Sequence, residues 1–352
     1  MSEKPDALNA GQLQNRFVFF TALLLLLAGI SAFGQPGRYR VVFYNVENLW
    51  DTFDDPEKQD EEFLPEGERR WNDTKMYRKL ENIAKVIIGA GGWEPPVAVG
   101  LCEVENRYVL DQLTGRTALS RIGYSVIHFE SPDKRGIDVA LLYRPGLFKP
   151  DTAFPVRITF PFDSGSFTRD ILYVKGRVAG SPTIHIFVNH WPSRYGGYME
   201  TRPKRAVAAQ TLRHMTDSLL SVDSLCRILI MGDLNDTPQD ESVAAILGVK
   251  PWPDFSANNL TGLISAGTGF PGTIRSGAGW MVFDQIIISK GLADTTSLFY
   301  ADPSSAMIYH EEFLLQPDER FGGVKPFRTY SGFRYLGGFS DHLPVMVDLI
   351  LK

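Results

Sequence analysis

Asp233 and Asn235 stand two residues apart where the apolar run Ile228-Leu229-Ile230-Met231 ends, just before the turn-forming Asp236-Thr237-Pro238. On a strand, residues two apart project to one face. A carboxylate and a carboxamide therefore enter the same cleft side by side. That pairing suits a metal-bound phosphate or water. Other apolar runs end in the same way. Asn45 closes Tyr39 to Tyr44, Glu103 follows Val97 to Leu101, and His190 follows Thr183 to Val188. Asp284 lies inside Met281 to Ile288, and Asp341-His342 precede the final apolar run. Singly, each has a bland explanation: turn residue, helix cap, bulge anchor or structural histidine. Together, six strand ends carrying Asn, Glu, His, Asp/Asn, Asp and Asp-His are hard to obtain from independent turn chemistry.

The elements that must position these residues can be read from periodicity. Strands are expected at 39–44, 97–101, 124–129, 137–143, 171–178, 183–188, 228–231, 281–288 and 344–350. Met76, Leu80, Ile83, Ala84 and Ile87 recur at helical spacing within Lys75 to Ile88, and further helices are expected over 106–119 and 201–220. Ala179-Gly-Ser-Pro reads as the turn of a hairpin. Residues 51–72, rich in Asp, Glu, Pro and Gly, read as an acidic surface loop, and Arg202, Lys204 and Arg205 as a solvated helix face. Helices interleaved with strands and hairpins point to mixed sheets, with no evident domain boundary.

Composition sets the outer limits. The chain has 352 residues, 44% hydrophobic and 22% charged, with a net charge of -5. These values suit a globular protein and speak against a strongly electrostatic nucleic-acid binder, while leaving room for local phosphate grip. Cys102 and Cys226 are too few for a disulfide framework and read as buried thiols. After Arg16, Phe17 to Phe33 carry no charge, and Ala32-Phe33-Gly34 offers small residues for cleavage. Residues 1–34 are thus expected to be a signal peptide, with an N-terminal membrane anchor as the alternative. On either reading of that segment the remainder is expected to be exported, periplasmic or extracellular, and nothing after residue 35 is long and apolar enough to span a bilayer.

Seven blocks occur in order: Tyr44-Asn-Val-Glu-Asn, Cys102-Glu-Val-Glu-Asn, Arg135-Gly-Ile-Asp-Val-Ala-Leu-Leu-Tyr, Asn189-His-Trp-Pro-Ser-Arg, Gly232-Asp-Leu-Asn, Asp284-Gln-Ile and Ser340-Asp-His-Leu-Pro. From Tyr39 to the C-terminus the chain resembles the endonuclease/exonuclease/phosphatase superfamily, with a deoxyribonuclease-I-like fold, and looks closest to exported bacterial nuclease-like members. The resemblance implies a four-layer α/β/β/α sandwich of two mixed sheets, formed by one catalytic domain over residues 35–352. It implies metal binding by Glu103, with Asn45 and Asp341 beside it. Oxygen donors of this kind suit Mg²⁺, or Mn²⁺. It further implies that Asp284 orients His342, that Asp233 or His342 serves as the base, and that Asn235 and His190 contact the phosphate. Arg194 is a candidate for a bidentate phosphate contact, against the plainer role of a loop arginine.

The expected activity is hydrolysis of nucleic acid by in-line attack of an activated water. The competing expectation keeps the chemistry and changes the substrate to a phospholipid head group or small phosphate ester. It draws on the aromatics Phe299, Tyr300, Phe313, Phe327, Tyr330, Phe333, Tyr335 and Phe339. A non-catalytic binding module is the third expectation, and it would predict loss of the catalytic side chains, all of which are present. No stable protein partner is implied.

Overall fold

The computed structural model describes residues 36–256 and 259–352. The segment expected to be a signal peptide or anchor lies outside these residues. Among the described residues, no helix is long and apolar enough to cross a membrane. The first half of the chain forms β1 (Gly37–Leu49), α1 (Asp73–Gly91), β2 (Ala98–Val104), α2 (Arg107–Arg116), β3 (Ser125–His128), β4 (Asp138–Tyr143) and β5 (Phe148–Val156). The hairpin β6 (Ile171–Val178) and β7 (Ile184–His190) follows, then α3 (Tyr198–Val222) and β8 (Ile228–Asp233). Short strands β9 (Lys250–Pro251) and β10 (Leu260–Gly262) precede β11 (Asp284–Ser289), β12 (Phe299–Ile308) and β13 (Val345–Leu351).

One sheet has six strands in the order β12-β13-β1-β2-β4-β3, and the other seven in the order β5-β6-β7-β8-β11-β10-β9. Each is mixed: β1–β2 in the first sheet and β7–β8 and β9–β10 in the second pair in parallel, while β2–β4, β6–β7 and β8–β11 are antiparallel. The expected four-layer sandwich is therefore the observed architecture. Its logic is legible in β8, an apolar run buried on both faces. Leu229 and Met231 enter the core between the sheets, while Ile228 and Ile230 lie with Ala208, Ala209 and Leu212 of α3. Met76, Leu80 and Ile83 of α1 and Leu110 and Leu113 of α2 join the first core. Gly100 on β2 packs tightly under β8, where an added Cβ would lie 2.8 Å from the Met231 sulfur.

Three departures from expectation have physical causes. β5 carries no strand signature in the sequence because Pro150 and Pro155 interrupt it, and proline is tolerated there because β5 is an edge strand. The acidic 51–72 segment is not simply a surface loop. Two of its three aromatics turn inward: Phe63 stacks on Trp50 at 5.0 Å, and Trp71 is fully buried. Arg205 is likewise no solvated helix residue. It is buried, with Nε 2.8 Å from Asp236 Oδ1. The 179–182 turn does form as read, with Ala179 and Gly180 both at positive φ, 47° and 79°.

His185 supplies a pH-linked test of the second sheet. It is buried on β7, its Nδ1 is 2.7 Å from the Tyr173 hydroxyl, and burial then Lys175 bring its pKa down to about 4. The unfolded chain binds this proton near pH 6.5 and the folded chain does not, so the fold should lose stability as pH falls from about 6.5 towards 4. The loss should be roughly 2 kcal/mol after discounting for solvent screening. Urea melts of the parent and of His185→Gln at pH 7 and pH 5 check this: the pH-dependent loss should shrink in the variant.

Candidate active site

Strand direction assembles the site. Parallel β1 and β2 bring Asn45 and Glu103 to one sheet edge, and parallel β7 and β8 place His190 directly opposite Asp233. β11 runs antiparallel to β8, so its first residue, Asp284, also faces Asp233. Gly232 permits this packing, since a Cβ there would come within 2.6 Å of the Asn189 carbonyl oxygen. Glu103 sits at φ 60° in a register shift of β2, and Glu47, Asn48 and Asn235 share left-handed backbone at φ 51°, 57° and 50°. Such conformations cost about 1–3 kcal/mol each for residues other than glycine and cluster where side chains must be re-aimed.

The side chains interlock. Asn45 Nδ2 donates to Glu103 Oε1 at 3.1 Å and to Asp233 Oδ2 at 3.0 Å, while its Oδ1 accepts from the Glu47 N–H. Asn45 thus braces two carboxylates, and would offer an oxygen to a cation only if its amide turned over. Glu103 Oε2 accepts from Asn48 N–H at 2.9 Å. His190 Nε2 stands 3.8 Å from both Glu103 Oε1 and Asp233 Oδ2, and its buried Nδ1 has no hydrogen-bond partner. On the other side, Asp284 Oδ2 contacts His342 Nδ1 at 2.7 Å, and His342 Nε2 reaches to 3.8 Å from Asp233 Oδ2. Asn235 donates Nδ2 to the Trp191 carbonyl at 3.0 Å, which orients its second N–H.

Electrostatics separates these groups. Burial pushes Asp233 up to about 7; His342 pulls against this, and Asp284 and Glu103 add to it. Burial disfavours a charged His342, but Asp284 and Asp233 outweigh it and raise its pKa well above the ordinary histidine value. His190 goes the other way. Burial, then Arg169 and Arg135, hold it neutral. The site therefore pairs a cationic imidazole with a neutral one around a carboxylate poised near neutrality.

A divalent cation fits one corner of this arrangement. Donor atoms of Glu103, His190 and Asp233 all lie within 4.8 Å of one another. Two carboxylates and a neutral imidazole offer it oxygen and nitrogen donors, and Asp233 would lose the proton its raised pKa lets it hold. Asp341 is not part of that group. Burial raises its pKa, but Arg328, His342 and Lys79 outweigh it and hold the carboxyl ionised, with Arg328 Nη2 at 3.0 Å.

Arg328 and Lys79 escaped detection in the sequence. Arg328 joins Asp341 to Glu47, and Lys79, fully buried with its pKa brought down to about 8 by burial, donates to Phe339 O at 2.6 Å. Both fix the loop that delivers Asp341-His342, and neither has a local signal, because their partners lie far along the chain. Arg194 holds loops rather than facing the pocket: its Nε and Nη2 donate to Asn235 O, Asp236 and Asp240.

The sequence profile of the endonuclease/exonuclease/phosphatase family matches residues 40–351. The chain belongs to this family. A family protein from Bacteroides thetaiotaomicron superposes with TM-score 0.55 at 14% identity, covering 90% of this chain and 99% of the other. D. rerio TDP2 complexed with single strand DNA product gives 0.52 at 14% identity, covering 89% and 99%. The human Nocturnin catalytic domain with bound sulfate gives 0.52 at 17% identity, covering 90% and 98%. At these identities the likeness speaks for the fold. No curated protein sequence matches the chain.

Proposed function

We propose that this family member is an exported, divalent-metal-dependent phosphodiesterase that hydrolyses nucleic acid. The observation that carries the chemistry is the line Asp284–His342–Asp233 facing Glu103 and His190 where the strand ends of the two sheets meet. Glu103 would hold the ion, with Asn45 and Asp341 as its supports. Mg²⁺ or Mn²⁺ would polarise a phosphoryl oxygen and offset charge on the leaving oxygen.

This chain's own residues then divide the work. Asp233, poised near neutral pH, takes a proton from the attacking water as its oxygen bonds to phosphorus and the leaving P–O bond breaks. A cationic His342 is a poor base at rest, so its place is to donate a hydrogen bond to the phosphoryl oxygens, held in orientation by Asp284. Neutral His190 and the oriented second N–H of Asn235 add donors for the same oxygens.

Nucleic acid is favoured over lipid by the loops. Of the ten aromatics from Phe299 to Phe339, only Phe321 and Phe333 are exposed, and Phe299, Tyr309, Tyr330 and Phe339 are buried, so they form no broad membrane-facing patch. Incubating the purified chain with plasmid DNA and with RNA should give metal-dependent cleavage that EDTA abolishes. No cleavage of either under Mg²⁺ or Mn²⁺, with turnover of sphingomyelin vesicles or inositol phosphates instead, would transfer the chemistry to those substrates.

A further inference from the structure

Beside the catalytic carboxylates lies a second cleft of about 420 Å³, walled by the β3–β4 turn, the 157–170 connection and the chain leading into α3. Its size falls within the ~300–1,000 Å³ of pockets that enclose small ligands. It joins the site directly: the Trp191 carbonyl that receives Asn235 Nδ2 also receives Arg169 Nη2, at 2.6 Å.

The two compartments carry opposite charge. The catalytic side presents Glu103, Asp233, Asp284 and Asp341. The cleft is lined by Lys134, Arg135, Arg169 and Lys204 against Asp133 and Asp163, leaving cations in excess. Asp133 is 2.9 Å from Arg169 but 3.7 Å from the half-exposed Arg135, so Arg135 is only loosely tied. Two buried polar groups in the wall have no partner. Thr168 Oγ1 and Arg169 Nε make no hydrogen bond, although Thr168 and Arg169 are 2% and 4% exposed. The mouth of the cleft carries flat apolar surface: Phe167 is 47% exposed and Tyr195 92% exposed, the latter followed by Gly196-Gly197.

We propose that this cleft is a nucleotide subsite, holding the nucleotide next to the scissile phosphate of a single strand. Its phosphate is received by the exposed cations Arg135 and Lys134 of the cleft wall, and its unpaired base lies against Tyr195 and Phe167. Cations alone would suit any polyanion, including an inositol phosphate. The exposed rings beside them are what select a base, and only an unpaired base offers its face for stacking. The inference rests on the nuclease reading, whose substrate it narrows to single strands.

The test separates binding from cleavage. A short phosphorothioate-linked oligodeoxynucleotide, resistant to hydrolysis, is titrated into the full protein in Mg²⁺ buffer by calorimetry. The same oligomer with abasic sites and an inositol bisphosphate are titrated in parallel. The double variant Phe167→Ala/Tyr195→Ala should bind the oligomer about tenfold or more weaker than the parent, and the abasic oligomer should lose a similar factor with the parent. Arg135→Gln should weaken binding and flatten its salt dependence. All three positions are half-exposed or more, and thermal melts of the variants should match the parent.

Equal affinity for normal and abasic strands, unchanged affinity in the double variant, or preference for inositol bisphosphate would each overturn the subsite. Cleavage is scored separately. A protein that cuts DNA or RNA yet ignores the base keeps the nuclease function and loses this cleft. One that binds bases in the cleft but cuts no nucleic acid keeps the cleft and loses the function.

Discussion

Replacing His342 with Ala is expected to lower kcat on the true substrate about 10³–10⁴-fold, the scale at which a positioned acid–base or charge-stabilising group acts. His342 meets Asp284 at 2.7 Å and points its other nitrogen towards Asp233 at 3.8 Å. The variant removes both the donor aimed at the phosphoryl oxygens and the positive charge that offsets burial of Asp233. It also leaves the Asp284 carboxylate, whose Oδ1 already lacks a partner, without compensation in the core. That loss destabilises on its own. His342→Asn is therefore the control, since its amide can still donate to Asp284. Both variants should be nearly inactive, while the Asn variant should melt close to the parent. Asp284→Asn should cost about 10²–10⁴-fold in kcat by releasing the imidazole's orientation and charge. Turnover within tenfold of the parent in His342→Asn would remove His342 from the mechanism.

Glu103→Gln is expected to abolish metal binding and with it activity. The substitution keeps shape and the acceptor for the Asn48 N–H, but it removes the charge from the least buried member of the Glu103–His190–Asp233 group. Loss of a catalytic ion forfeits several kcal/mol of charge stabilisation, so kcat/KM should fall about 10³-fold or more. Two readouts do not depend on turnover. Calorimetric titration with Mn²⁺ should show a site in the parent and none in the variant. A saturating ion at about 100 times its Kd should stabilise the parent by roughly 2.7 kcal/mol, a shift of several degrees in Tm, and leave Glu103→Gln unmoved. Asp341→Asn serves as the comparison. Because Asp341 is ion-paired to Arg328 and lies outside the three-residue group, it should weaken the ion less than Glu103→Gln does. An Asp341 variant as damaged as the Glu103 variant would place Asp341 in the metal's immediate surroundings.

Much of the site was visible in one dimension because catalytic side chains were mounted where apolar strands end. A buried run such as Ile228 to Met231 has little reason to terminate in Asp233, nor Val97 to Leu101 in Glu103, unless those ends open into a cleft. The runs themselves pointed to mixed sheets, and the paired layers came from the family resemblance that the motif blocks carry. Strands that violate the pattern, such as β5 with its two prolines, were lost for that reason.

What the sequence by itself determined was the set of polar strand ends, their order, and hence the family and its sandwich. Tertiary structure alone decided what each side chain touches. Asn45 turns donors rather than an oxygen towards Glu103 and Asp233, Arg194 braces loops, and Arg328 and Lys79 hold the Asp341-His342 segment. Only the folded chain sets Thr168, Arg169 and Tyr195 beside residues from a different strand edge. The physical reason is range. Strand periodicity is a property of adjacent residues, whereas charge pairing, burial and the pKa shifts they cause depend on groups separated by tens to hundreds of positions until the two sheets close.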